Sequence, residues 1–155
     1  MISSRVRNVA AVERLLSALP HSFGREEANR EYVQAAERLP TYLAWEDATV
    51  VGALLLETHF PTTSEIHLLV VDPERQRQGI GRSLVDAAEA ELVDGGTRLL
   101  EAKTLGPSVA HEGYAAARAF YQAMGFLPVE ELATVWPDDP CLLLVKPLPE
   151  PRVSG

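Results

Sequence analysis

The chain has 155 residues, 46% apolar and 23% charged, which suits a single soluble domain with a sizeable core. A formal net charge of −8 argues against an electrostatic nucleic-acid surface. The one cysteine, Cys141, excludes an intramolecular disulfide framework and fits a reducing compartment. The opening "MISSRVRNVAAVERLL" scatters charge through its length, so neither a signal peptide nor a membrane span is expected, and the chain reads as cytoplasmic. Val6, Val9, Val12, Leu15, Leu16 and Leu19 recur at helical spacing and predict a helix over Arg5–Leu19, stopped at Pro20. Ala28, Tyr32, Ala35, Ala36 and Leu39 repeat the pattern over Glu26–Leu39, ended by Pro40. Thr41–Trp45 and Thr49–Thr58 read as a hairpin about a turn at Glu46–Ala48, with no separate strand visible before Val6. A loop at Pro61–Ser64 leads into the strand "EIHLLVVD". Ile80, Leu84, Ala88 and Leu92 line one stripe of a helix closed by Gly95 and Gly96. "TRLLEAK" is a short strand, "TLGPSVAHEG" a polar loop and "YAAARAFYQAM" a helix capped by Gly125. Phe126–Val135 and Cys141–Lys146 close the order as two strands, and the proline-rich "PLPEPRVSG" has little to bury. The expectation is one domain over 1–148 followed by a loose tail.

Within "VVDPERQRQGIGRSL", a strand ends, a polar turn follows, and Gly79 and Gly81 stand at the start of a helix. Helix N-termini carry unpaired backbone amides and partial positive charge, and glycine lets an anion approach them closely. Arg75, Arg77 and Arg82 add charge, and Gln76 and Gln78 add polar groups. A pyrophosphate suits that setting. There is no Gly-Lys-Ser/Thr of a Walker loop, and position 84 is Leu rather than the third glycine of a dinucleotide fingerprint.

Gln76–Gly81, "QRQGIG", placed directly after a strand, resembles the acyl-coenzyme A signature of the GNAT superfamily of N-acyltransferases. "ARAFYQAMGF" resembles the same family's second motif, and the order of elements agrees over roughly residues 5 to 147. The resemblance implies an α/β (α+β) fold: a mixed sheet of six or seven strands, about four helices, and central strands splayed at the coenzyme site. It implies acetyl transfer from acetyl-CoA directly to a primary amine in a ternary complex. A non-catalytic acyl-CoA binding or sensing module is the alternative. Backbone groups of Leu69 and Val71 would face the pantetheine arm, with the Leu69 amide polarising the thioester carbonyl and Val70 between them counted among the coenzyme-binding residues. Amides from Gln78 through Gly79, Ile80, Gly81 and Arg82 to Ser83 would hold the pyrophosphate, flanked by Gln76 and Arg77. Tyr121 would protonate the leaving sulfur, and Tyr114 and Ala117 share its helix; Tyr114 stands where the family often has Asn.

For the base, Glu65 and His67 share a strand face by the two-residue period, as do Glu57 and His59 on the strand before. Glu65 lies where family bases often lie, whereas His67 has the better ordinary pKa; Glu57 or a water relay remain open. Two Glu and two His could suggest a metal, but no helix-spaced or cysteine-containing ligand set supports one, and none is expected. His111 and Glu112 read as solvated loop residues that could line the acceptor mouth. Cys141 reads as a small core residue rather than an acyl carrier. The expected partners are acetyl-CoA and an amine, with no nucleic acid or membrane, in a monomer or homodimer. The amine's identity is open, because acceptor pockets are built from loops and the early helices.

Overall fold

Val50 to Leu56 are buried without interruption, the pattern of a strand covered on both faces rather than one. The computed structural model, which describes residues 1–19, 26–108, 112–136 and 139–151, shows what covers them. In chain order the elements are β1 (Ile2–Ser4), α1 (Val9–Ser17), α2 (Glu26–Ala36), β2 (Thr41–Glu46), β3 (Thr49–Phe60) and β4 (Thr63–Val71). A one-turn 3-10 segment (Pro73–Arg75) precedes α3 (Ile80–Asp94), then β5 (Leu99–Leu105), α4 (Glu112–Ala123), β6 (Leu127–Leu132) and β7 (Cys141–Pro147). The seven strands form one mixed sheet in the order β1-β2-β3-β4-β5-β7-β6. Every neighbouring pair is antiparallel except β4 and β5, which α3 joins as a crossover.

Strand alternation sends side chains into two cores. Leu43, Ala53, Leu55, Leu68 and Val70 pack with Val12, Leu15, Leu16, Ala35 and Ala36 of α1 and α2. Tyr42, Leu54, Leu56, Ile66, Leu100 and Leu144 pack on the other side with Leu84, Val85, Ala88 and Leu92 of α3 and Tyr121 and Met124 of α4. Among the described residues no helix is long and apolar enough to cross a membrane.

Several boundaries differ from the sequence reading. A first strand does exist: Ile2–Ser4 pairs with Ala44–Tyr42, too short for periodicity to reveal. The first helix begins at Val9 rather than Arg5, because the Asn8 carboxamide accepts the Ala11 amide at 3.0 Å and caps it there. β3 and β4 run on through the expected loop, leaving only Pro61 and Thr62 between them. Within the proline-rich segment that reads as having little to bury, Leu148 is buried in the α3/α4 core and its amide donates to the Arg98 carbonyl at 2.8 Å. His111 and residues 152–155 lie outside the described residues.

Candidate active site

β4 is where the sheet opens. Its pairing with β5 runs from Thr63↔Leu99 to Ile66↔Ala102 and stops, while β5 continues along β7 to Leu105. On the other edge of β4 a bulge falls at the same level: Ile66 faces Leu56, Leu68 faces Leu55, and His67 is left over. Beyond the bulge the Asp72 amide donates to the Val51 carbonyl. By the alternation of an antiparallel ladder, Val70 and Leu68 also turn their backbone groups to β3. Leu69 and Val71 therefore turn theirs into the open fork, whereas Val70, also expected at the coenzyme, turns its backbone to β3.

The turn after β4 aims a helix N-terminus at that fork. Gln76 Nε2 donates to the Val71 carbonyl at 3.4 Å, tying the turn to the strand end. Arg77 (φ 65°) and Gly79 (φ 80°) are both left-handed, and Gly79 caps α3 without any side-chain hydrogen bond. The amides of Gly79, Ile80, Gly81 and Arg82 have no intrahelical partner, and no acidic residue in the first turn offsets them. The cradle ends one residue sooner than expected, since the Ser83 amide and hydroxyl both donate to the Gly79 carbonyl at 3.0 Å. Arg77, Gln78 and Arg82 are exposed beside it. Arg75 is not available there, because its guanidinium grips Glu46 at 2.7 and 3.1 Å. Gly52 sets the height of the helix: a Cβ on it would stand 2.9 Å from Ile80 and 3.1 Å from Leu84.

Tyr121 closes the fork from the α4 side. Its ring packs edge-on against Phe120 and Phe126 at 5.3 and 5.2 Å, and the residue is only 8% exposed. Burial first, then the negative charges of Tyr32 and Glu65, push the phenol well above its ordinary pKa. Ala117 and Tyr114 lie half-buried one and two turns earlier on the same helix. Arg118 anchors α4 to the end of β5 through the Leu105 carbonyl at 2.8 Å.

On the α1/α2 side of the fork a row of carboxylates crosses three strands, with Glu57 opposite Glu65 and Glu65 opposite Glu101. Glu65, the most buried, is shared: His59 Nε2 lies 2.7 Å and Lys103 Nζ 3.0 Å from its Oε1. His67 Nδ1 lies 3.3 Å from Glu57 Oε2 and its ring meets Tyr32 of α2 edge-on at 5.5 Å. The two histidines thus cross over, each meeting the carboxylate of the opposite strand. Burial, then charge on Tyr114, Glu31, Glu65 and Cys141, pushes the Tyr32 phenol up to about 12. Burial likewise pushes the Cys141 thiol up, which disfavours a thiolate nucleophile. Glu57, His59 and Glu65 each offer a ligand atom within 4.8 Å of one another. Lys103, however, already neutralises Glu65.

Tyr32, Glu101 and Lys103 were missed as site residues. The signal for two of them was present in "LLEAKTL", where Glu and Lys alternate through an otherwise buried strand.

Residues 9–126 match the family model described as Acetyltransferase (GNAT) family. Over 83 residues, 54% of this chain, the sequence is 35% identical to a mycothiol acetyltransferase of Beutenbergia cavernae. That stretch spans only 26% of the relative's length. The fold superposes on a GNAT-family protein from Desulfovibrio desulfuricans with TM-score 0.82 and 21% identity, covering 95% of this chain and 98% of the other. A GNAT-family acetyltransferase from Elizabethkingia anophelis, solved with acetyl-CoA bound, gives TM-score 0.73 and 19% identity over 96% and 97% of the two chains. The chain belongs to the GNAT acetyltransferase family.

Proposed function

We propose that this chain moves an acetyl group from acetyl-CoA directly to a primary amine held in the fork between β4 and β5. One observation carries the reading: the Leu69 backbone turns out of the β3 ladder where β4 parts from β5, and the start of α3 lies beside it, a Cβ on Gly81 falling 3.9 Å from Leu69 and 3.4 Å from Phe120, the neighbour of Tyr121. The amides of Gly79 to Arg82 suit a pyrophosphate, and the Leu69 amide suits a thioester oxygen that gains charge as the amine attacks. Nitrogen bonds to the carbonyl carbon, the carbon–sulfur bond breaks, and the departing sulfur receives a hydrogen bond and a proton from the side of Tyr121. The surplus proton on the new amide nitrogen leaves to a base.

His67 is the better base. Glu65 Oε1 is already engaged by Lys103 at 3.0 Å and His59 at 2.7 Å. A His67 proton on Nδ1 faces the Glu57 carboxylate, which leaves Nε2 with the lone pair that a base needs. This reverses the order expected from position along the strand. The test is purified protein with acetyl-CoA and a panel of primary amines, following free thiol and amide product together. Amine-dependent release of both supports the reading; tight acetyl-CoA binding with no transfer to any amine makes the chain a binding module instead.

A further inference from the structure

We propose that Tyr32 of α2 is the positioning residue of the base: its ring sets the plane of His67 so that Nδ1, and not Nε2, meets Glu57. The proposal rests on the acetyl-transfer reading and on His67 as its base. His67 is the first residue of β4 beyond the last pair with β5, Ile66↔Ala102, and it is also the residue left over by the bulge against β3. Neither neighbouring strand therefore sets a residue opposite it, and a bulged side chain is aimed by what packs on it. Two groups do so here. Glu57 Oε2 stands 3.3 Å from Nδ1, longer than a good charge-assisted hydrogen bond, and the two side chains are 31% and 26% exposed. Water competes for such a contact, so Glu57 alone leaves the imidazole free to turn over and offer Nε2 instead. Tyr32 supplies the second constraint, an edge-on ring at 5.5 Å with the planes 69° apart.

Tyr32 can hold another ring because it is held itself. It lies one turn before Ala35 and Ala36, whose burial with Val12, Leu15 and Leu16 of α1 seats α2 on the sheet. Burial pushes its phenol up to about 12, so it meets His67 as a neutral ring. The carboxylates beside the imidazole are Glu57 on β3 and, two residues earlier on its own strand, Glu65, whose Oε1 is engaged by His59 and Lys103. The neighbouring pair shows the alternative orientation, since His59 turns Nε2 to its carboxylate at 2.7 Å. A histidine held that way has Nε2 occupied. One that carries its proton on Nδ1 against Glu57 keeps the Nε2 lone pair for the proton that the amine gives up.

The experiment follows the histidine ring nitrogens by NMR as a pH series to its alkaline plateau, with His67 assigned from His67→Asn and kinetics measured beside it. In the unsubstituted protein the neutral His67 ring should carry its proton on Nδ1; a proton on Nε2 overturns the proposal before any Tyr32 variant is made. Tyr32→Phe, which keeps the ring, should keep that pattern and hold turnover within a few-fold. Tyr32→Leu and Tyr32→Met, which remove the ring, should mix the two tautomers. Both should lower kcat about tenfold, part of the roughly 10²–10⁴ that a placed base contributes, while the KM for acetyl-CoA stays within a few-fold. A Tyr32 that only packs would cost stability and leave the tautomer and the kcat of folded variants as they were, and that result overturns the proposal. So does a loss in Tyr32→Phe as large as in Tyr32→Leu, which would assign the effect to the hydroxyl. Absence of amine-dependent thiol release from the unsubstituted protein overturns the acetyl-transfer reading instead, and the two failures stay distinct because the ring nitrogens are read without turnover.

Discussion

Tyr121 separates binding from chemistry more cleanly than any other side chain. Its phenol stays protonated far above neutral pH, so in the proposed mechanism it would serve as a donor and add no alkaline limb to the pH–rate profile. A hydrogen bond to the departing sulfur exists only as the carbon–sulfur bond breaks, so its loss should appear in turnover rather than in ground-state affinity. Tyr121→Phe keeps the ring packing on Phe120 and Phe126 and should lower kcat by roughly 10²-fold. Acetyl-CoA affinity by calorimetry should stay within a few-fold; a collapse of both would make the hydroxyl a binding group. For the base, His67→Asn should abolish the acidic limb of the kcat/KM profile, whereas Glu65→Gln should shift that limb and keep it. The opposite pattern would return the role to Glu65. The packing of Tyr121 with Phe120 and Phe126 was legible from its motif, and the shared face of Glu65 and His67 from strand alternation. Alternation names a face and not a neighbour, so the crossed His59–Glu65 and His67–Glu57 pairs, set by a bulge, were not legible. Tyr32 was hidden for a related reason, since helical spacing marked it as core and its partner His67 lies on a distant strand.

The turn into α3 is a backbone device, and its glycines are where it can be broken. Gly81 sits one residue inside the helix, and a Cβ there would already touch the Phe120 ring at 3.4 Å. Gly81→Val adds two further methyls beside the unpaired amides and should weaken acetyl-CoA binding more than about tenfold, or about 1.4 kcal/mol. Unchanged calorimetric affinity in a folded variant would remove the loop from the coenzyme site. Gly52→Ala tests the same helix from beneath. With Ile80 only 2.9 Å away, α3 must shift, which should cost about 1–3 kcal/mol in urea denaturation. The α3 register was readable from Gln76–Gly81, but the role of Gly52, about thirty residues earlier, depends on which strand lies under the helix. β1 escaped the sequence reading because three residues carry no period, and the start of α1 because Asn8 outweighs the apolar spacing that begins at Val6.

Across the whole molecule, two cores on either face of one sheet hold Tyr42 and Tyr121 buried and Tyr32 partly buried, in settings that disfavour the phenolate. Tyr32 and Tyr121 are raised first by burial; Tyr42 is raised by burial and by its 2.6 Å hydrogen bond to Glu91. In the unfolded chain each titrates near ~10, so the unfolded state releases these protons first. Their contribution to stability should be complete below about pH 10 and lost progressively as pH rises, through about 12 for Tyr32. Denaturant titrations at stepped pH, with tyrosinate absorbance followed in parallel, should show stability falling as the hidden phenols ionise. A stability flat across that range would mean these rings are wetter than their packing indicates.

The two-faced sheet also fixes the chemistry the molecule can run. The coenzyme cradle of α3 and Tyr121 lie on one side of the fork, and the row of carboxylates and histidines lies on the other. On the proposed reading the two reactants meet through the opening while both are bound, with Cys141 buried and its thiol pushed up rather than poised as a relay. Initial rates measured over a grid of acetyl-CoA and amine concentrations test this most directly. The structure predicts intersecting double-reciprocal lines, the signature of a ternary complex; parallel lines, with an acetylated protein isolable before amine is added, would contradict it.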